Sequence, residues 1–200
     1  MTYRPKDSYH RRARAAGYRA RSAYKLIELA DRFRLLRRGD HVVDLGAWPG
    51  GWLQVAVERI GADGRAVGVD VVPIDPLPAA NVDSMSGDVR DPAVVRAVRE
   101  RLGRAADLVL SDLAPKLTGV AATDAARQSE LGTAVLAALP DLLRPHGRLV
   151  MKVFMGPDQP ALLARLQTLF DEVRTTRAEA TRRGSAELYA VCTGYRGQPQ

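Results

Sequence analysis

The chain of 200 residues is 46% hydrophobic and carries a formal charge of +7, which is enough apolar material for one full core and too little length for two. A single cysteine, Cys192, excludes an intramolecular disulfide and a cysteine-clustered metal site, and His10, His41 and His146 follow no ligand spacing, so a metal-independent protein is expected. No stretch approaches the roughly 18 apolar residues of a membrane span, and no apolar core follows the basic start, which argues against secretion and for a cytoplasmic location.

The charge is concentrated at the start. Residues 1–38 hold 12 Lys+Arg and 3 Asp+Glu, net +9, whereas the remainder is net −2. Clustered cations gain affinity for a polyanion by releasing its counterions. Tyr3, Tyr9, Tyr18 and Tyr24 interleave them and would pack on bases or sugars. Residues 1–20 therefore read as a basic RNA-binding arm that orders on its partner, with a solvated basic face as the bland alternative. From about residue 21 to residue 36, Leu26, Ile27, Leu29, Ala30 and Phe33 recur at helical spacing, with Ser22 near the start and Gly39 past the end.

After Gly39, short apolar runs alternate with helical patterns: HVVDLG, helix, RAVGVD, loop, NVDSMSGD, helix, DLVLSD, helix, RLVMKVF, helix. This alternation predicts an α/β fold, a mostly parallel sheet with helices on both faces. The runs at 171–176 and 186–193 would close it as an antiparallel hairpin. A single domain over 21–196 and a short tail, 197–200, complete the plan.

In open sheets of this kind ligands sit beyond the carboxyl ends of the strands. The segment DLGAWPGGW, Asp44 to Trp52, joins a strand to a helix there, and Gly46, Gly50 and Gly51 would let the backbone approach a ligand. The spacing is not that of a dinucleotide fingerprint, so a nucleoside-containing cofactor is the better fit, with an ordinary tight turn as the alternative. Asp70, Asp88 and Asp112 end or follow the next strands; each alone could be a cap or turn residue. Two further residues are anomalous. Lys152 lies inside the apolar strand LVMKVF, and Glu187 lies inside AELYAV; an ammonium that snorkels to the sheet edge and a carboxylate that faces solvent from an edge strand are the bland alternatives. A buried lysine requires an anionic neighbour, and Asp112 and Glu187 are the available suppliers.

The ordered segments GYRARSAYKL, VVDLGAWPGGW, GDVRD, SDLAP, MKVF and SAELY, running from residue 17 to residue 189, resemble the RrmJ/FtsJ-like ribose 2'-O-methyltransferases of RNA. The resemblance implies a Rossmann-like class I methyltransferase fold with a seven-stranded sheet, and S-adenosyl-L-methionine as cofactor. It implies that Gly50 and Trp52 line the methionine and sulfonium end, Asp70 the ribose and Asp88 the adenine, with Asp112 touching both cofactor and catalytic centre. It also implies a catalytic set of Lys25, Asp112, Lys152 and Glu187. The substrate implied is large-subunit ribosomal RNA, methylated at a uridine in the assembled particle; transfer RNA, or an assembly factor without catalysis, are the alternatives. A monomer is expected.

Chemistry makes the set sensible. The hydroxyl must be held in line with the departing sulfur. Lys152 is the candidate base, yet a free lysine has a pKa of ~10.4 and is about 0.1% neutral at pH ~7.4, so burial, Lys25 and the cofactor's positive charge would have to act against Asp112 and Glu187. Two positions depart from the family pattern: Trp48, where a small residue is common, and Lys116, where an uncharged polar residue is frequent.

Overall fold

The computed structural model describes residues 8–115, 118–182 and 184–197. Lys116, Tyr3 and the tip of the basic arm lie outside the described residues. The elements are α1 (Ser8–Ala15), α2 (Ala23–Phe33), β1 (His41–Leu45), α3 (Gly51–Ile60), β2 (Arg65–Asp70), β3 (Val82–Ser86), α4 (Pro92–Leu102), β4 (Ala106–Ser111), α5 (Ala121–Leu142), β5 (Leu143–Phe154), α6 (Gln159–Leu169), β6 (Phe170–Thr176) and β7 (Glu187–Tyr195).

One seven-stranded sheet runs in the order β3-β2-β1-β4-β5-β7-β6. The first five strands pair in parallel, and β7 pairs antiparallel to both β5 and β6. The expected closing hairpin is therefore present. Strand order reverses between β1 and β4, which is where such a sheet opens its ligand crevice.

Alternation along each strand sorts side chains to two faces. Val43, Leu45, Val109, Leu149 and Met151 pack under α4, α5 and α6. Val42, Leu108, Leu110, Val150, Tyr189 and Val191 pack under α2 and α3. Asp44, Lys152 and Glu187 share the parity of this second set, so period two alone directs them to the α2/α3 face. Asp112 extends the same alternation past β4, where its N–H reaches Leu45 O at 3.2 Å.

One sequence expectation is corrected. Helix α2 ends at Phe33, with Arg34 in the left-handed region (φ 51, ψ 47) and its N–H on Ala30 O, so the stop comes five residues before Gly39. Burial of Leu35 directly after the helix sets this early turn. The arm from residue 8 is folded against the domain. Its tyrosines pack on one another: the Tyr24 ring lies 5.8 Å from Tyr9 and 5.9 Å from Tyr18, with the Arg12 guanidinium 4.7 Å above Tyr24. Those rings fasten α1 to α2 and are engaged within the protein. Among the described residues no helix is long and apolar enough to cross a membrane.

Candidate active site

The four residues named as a catalytic set come from four separate elements and meet at the carboxyl end of the sheet. Lys25 Nζ lies 2.5 Å from Glu187 Oε1. Lys152 Nζ lies 2.9 Å from Asp112 Oδ1 and 3.8 Å from Glu187 Oε2, and it donates to Asp112 O at 2.8 Å. Glu187 thus stands between two lysines, and Lys152 between two carboxylates. All are largely enclosed: the Lys152 side chain is 7% exposed and that of Glu187 11%. Burial pushes the Glu187 carboxyl up, but the hydrogen bond and charge of Lys25, with the charge of Lys152, outweigh it and hold the carboxyl below its ordinary value.

A fifth member was not singled out from the sequence. Tyr189, fully buried, donates its hydroxyl to Asp112 Oδ1 at 2.7 Å, and its phenolic oxygen in turn accepts from Lys25 Nζ at 3.3 Å. Burial, then the negative charges of Asp112 and Glu187, raise the phenol well above its usual value, so it remains a donor. The signal was available: Tyr189 follows Glu187 by two residues on one strand and therefore faces the same way. It also sits opposite Lys152 in the β5–β7 register. Thr181 adds a further donor to Glu187 Oε1 at 3.2 Å.

The glycine turn lies alongside. Gly46 has φ 81, and a side chain there would strike Leu113 at 2.8 Å; Gly50 has φ 105. Gly51 packs against Ala20, whose Cβ is 3.0 Å from where a Gly51 side chain would begin, so this glycine admits the end of the arm. Beneath the turn, Asp44 is fully buried and neither carboxylate oxygen has a hydrogen-bond partner. Burial, with the nearby charges of Asp112 and Asp70, raises its carboxyl well above the usual range. A buried unpaired carboxyl is costly and marks a functional site.

Asp70 accepts the backbone N–H of Trp48 at 3.0 Å and of Val72 at 2.9 Å, leaving further lone pairs at the sheet edge. Asp88 is gripped by Arg90, whose Nη2 is 2.6 Å from Oδ2 and whose Nη1 reaches Glu130 at 2.8 Å. These bonds from Arg90 hold the Asp88 carboxyl below its ordinary value. Trp52 is 3% exposed, its indole N–H on Ser22 O at 2.8 Å and its ring 5.8 Å from Tyr189; it braces the start of α2 and the back of the lysine cluster. Trp48, in contrast, is 55% exposed. A cavity of about 430 Å³ opens between α5, α6 and the ends of β4 and β5, bounded by Ser111, Leu113, Lys152 and Phe154. Among the described residues no group of three or more His, Cys, Asp or Glu is placed to hold a metal ion.

A phenol and two lysines interleaved with two carboxylates, beside a glycine turn over a partnerless acid, can orient a hydroxyl and take its proton next to a bound nucleoside. Comparison with known proteins points the same way. The sequence profile of the FtsJ-like methyltransferases matches residues 18–195. The ribosomal RNA large subunit methyltransferase E of Azoarcus sp. is 46% identical over 92% of this chain and 90% of its own length. Its counterpart from Methanobrevibacter smithii is 40% identical over 92% and 88%. Among solved structures, a ribosomal RNA methyltransferase of Plasmodium falciparum superposes with a TM-score of 0.80 at 28% identity, covering 90% of this chain and all of the other. Fibrillarin of Aeropyrum pernix, solved with S-adenosyl-L-methionine, gives 0.61 at 17% identity over 88% and 75%, a likeness of fold.

Proposed function

The chain belongs to the FtsJ-like methyltransferase family, and we propose that it transfers a methyl group from S-adenosyl-L-methionine to the ribose 2'-hydroxyl of a uridine in large-subunit (23S) ribosomal RNA, in the assembled particle. The convergence of Lys25, Asp112, Lys152 and Glu187 beside the glycine turn is the observation that carries this reading. The RNA target rests on what the related proteins act on and on the basic arm.

The residues fit the cofactor. Asp44 offers a buried acceptor without a protein donor, Gly46 and Gly50 keep the turn free of side chains, and Asp70 presents a carboxylate where a ribose diol is held in such sheets. Asp88, its carboxylate already engaged by Arg90, is the residue that the resemblance assigns to the adenine. When bound, S-adenosyl-L-methionine supplies an electrophilic methyl carbon on a cationic sulfur.

The protein's own part is positioning and proton transfer. Lys152 Nζ accepts the 2'-hydroxyl proton as that oxygen attacks, and Asp112 and Glu187 receive the resulting ammonium in hydrogen-bond geometry already present. Lys25 keeps Glu187 ionised and adds a positive charge at the enclosed back of the cluster. Tyr189 fixes the Asp112 carboxylate from behind.

The test is methyl transfer from labelled cofactor to undermethylated large subunits, followed by digestion to nucleosides. Wild type should yield 2'-O-methyluridine. Label on a base, or equal transfer by Lys152→Ala, would refute the proposed chemistry.

A further inference from the structure

Three of the five exposed large hydrophobic residues among those described gather around a single carboxylate. Trp48, Val71 and Val72 are 55%, 68% and 42% exposed, and the two oxygens of Asp70 hold the N–H groups of Trp48 and Val72. One acid therefore ties the loop after β1 to the loop after β2. Arg19 ties the same loops from another side: its guanidinium donates to Pro49 O at 3.3 Å, Asp75 O at 2.5 Å and Pro76 O at 2.7 Å. The apolar lip is thus mounted on a braced frame. Clustered exposed apolar groups of this kind mark a binding surface.

Charge selects the occupant. No Lys or Arg occurs in residues 39–58 or 66–89, the two stretches that form the lip, whereas Asp44, Asp70, Asp75 and Asp88 do; Arg19, which reaches these loops from the arm, has its guanidinium on their backbone carbonyls. A polyanion gains nothing there. A flat, uncharged aromatic base does, because an indole offers a stacking face at little entropic cost.

We propose that the Trp48 indole, with Val71 and Val72 beside it, packs against the adenosine portion of the cofactor whose ribose Asp70 holds. The inference rests on the methyltransferase reading. It makes Trp48 a cofactor-binding residue.

Calorimetry and fluorescence test it together. The chain has two tryptophans, and Trp52 is 3% exposed, so Trp48 is the one placed to report contact. Titration of wild type with S-adenosyl-L-methionine or S-adenosylhomocysteine should change tryptophan emission, and the change should vanish in Trp48→Phe. The cofactor Kd should rise about tenfold in Trp48→Ala and much less in Trp48→Phe, with affinity for large subunits unchanged. Unaltered cofactor affinity in Trp48→Ala, or a loss confined to RNA affinity, overturns the assignment. Failure of wild type to bind either compound overturns the functional reading itself, and the Trp48 inference with it.

Discussion

Strands β1, β4 and β5 carry a buried charge cluster at each end, and the two are built differently. At the amino end, Arg148 donates to Leu35 O at 2.6 Å, Asp40 Oδ1 at 2.9 Å and Asp107 O at 3.4 Å. Asp40 Oδ2 takes the N–H of Arg37, while Asp107 takes His41 N–H, Arg104 and Arg144. Every carboxylate oxygen there has a donor, and every cationic partner is arginine. At the carboxyl end the cations are lysines, a phenol mediates, and Asp44 has no partner. Arginine's planar fork never loses its proton, so it suits permanent structure, whereas lysine's compact ammonium can change protonation state. The same strands carry a fully satisfied arginine clamp at one end and a lysine–carboxylate cluster beside an unpartnered acid at the other.

The sharpest way to break this comparison is Lys152→Ala. It should lower kcat by about 10²–10⁴-fold, measured as single-turnover methyl transfer, with the protein still folded by circular dichroism. Arg148→Ala should do the opposite, removing about 3–5 kcal/mol of stability by stranding Asp40, read from denaturant unfolding, while kcat per folded molecule stays at the wild-type value. If kcat collapses as well, the two ends are not separable.

Smaller effects sharpen the contrast. Tyr189→Phe removes one donor from Asp112 and should lower kcat about tenfold, or about 1.4 kcal/mol, with little change in cofactor Kd. The acids should respond oppositely to pH. Asp107 is held at about 2 despite partial burial, through His41 N–H, Arg104 and Arg144. Its stabilising contribution is present above the unfolded carboxylate pKa of ~3.9 and is lost as pH falls through about 2. Asp44 is raised, so the folded protein holds a proton that the unfolded chain releases, and stability declines as pH climbs above ~3.9. Asp44→Asn should therefore gain on wild type in thermal melting as pH rises from about 4, while binding cofactor more weakly; a difference in melting point independent of pH would refute the shift.

The sheet was readable in the sequence because its strands are short apolar runs between strong helical patterns, and period two fixes faces once strands are placed. Lys152 and Glu187 stood out because charge inside such runs is rare. Recognition of ordered motifs, not spacing, joined them to Lys25, since strand order and crossovers bring residues 162 positions apart into contact. Tyr189 passed unnoticed because a tyrosine in a strand is ordinary; its role comes from the acid and lysines around it. The packing of the tyrosines around α1 was hidden for the converse reason. Aromatic residues among arginines look the same in sequence whether they face a nucleotide or, as here, each other and Arg12. The isolation of Asp44 is likewise invisible in one dimension, because it depends on what the glycine turn leaves out.

The tie between Lys25 and Glu187 also orders events during synthesis. The basic helix and Lys25 leave the ribosome long before β7, so the nascent chain holds Lys25 and then Lys152 while Glu187, the carboxylate shared by both, is still missing. Glu187 is delivered only once β7 has paired beside β5. An unfinished polypeptide therefore carries both lysines without the acid that lies between them, and the cluster is complete only when the sheet is closed.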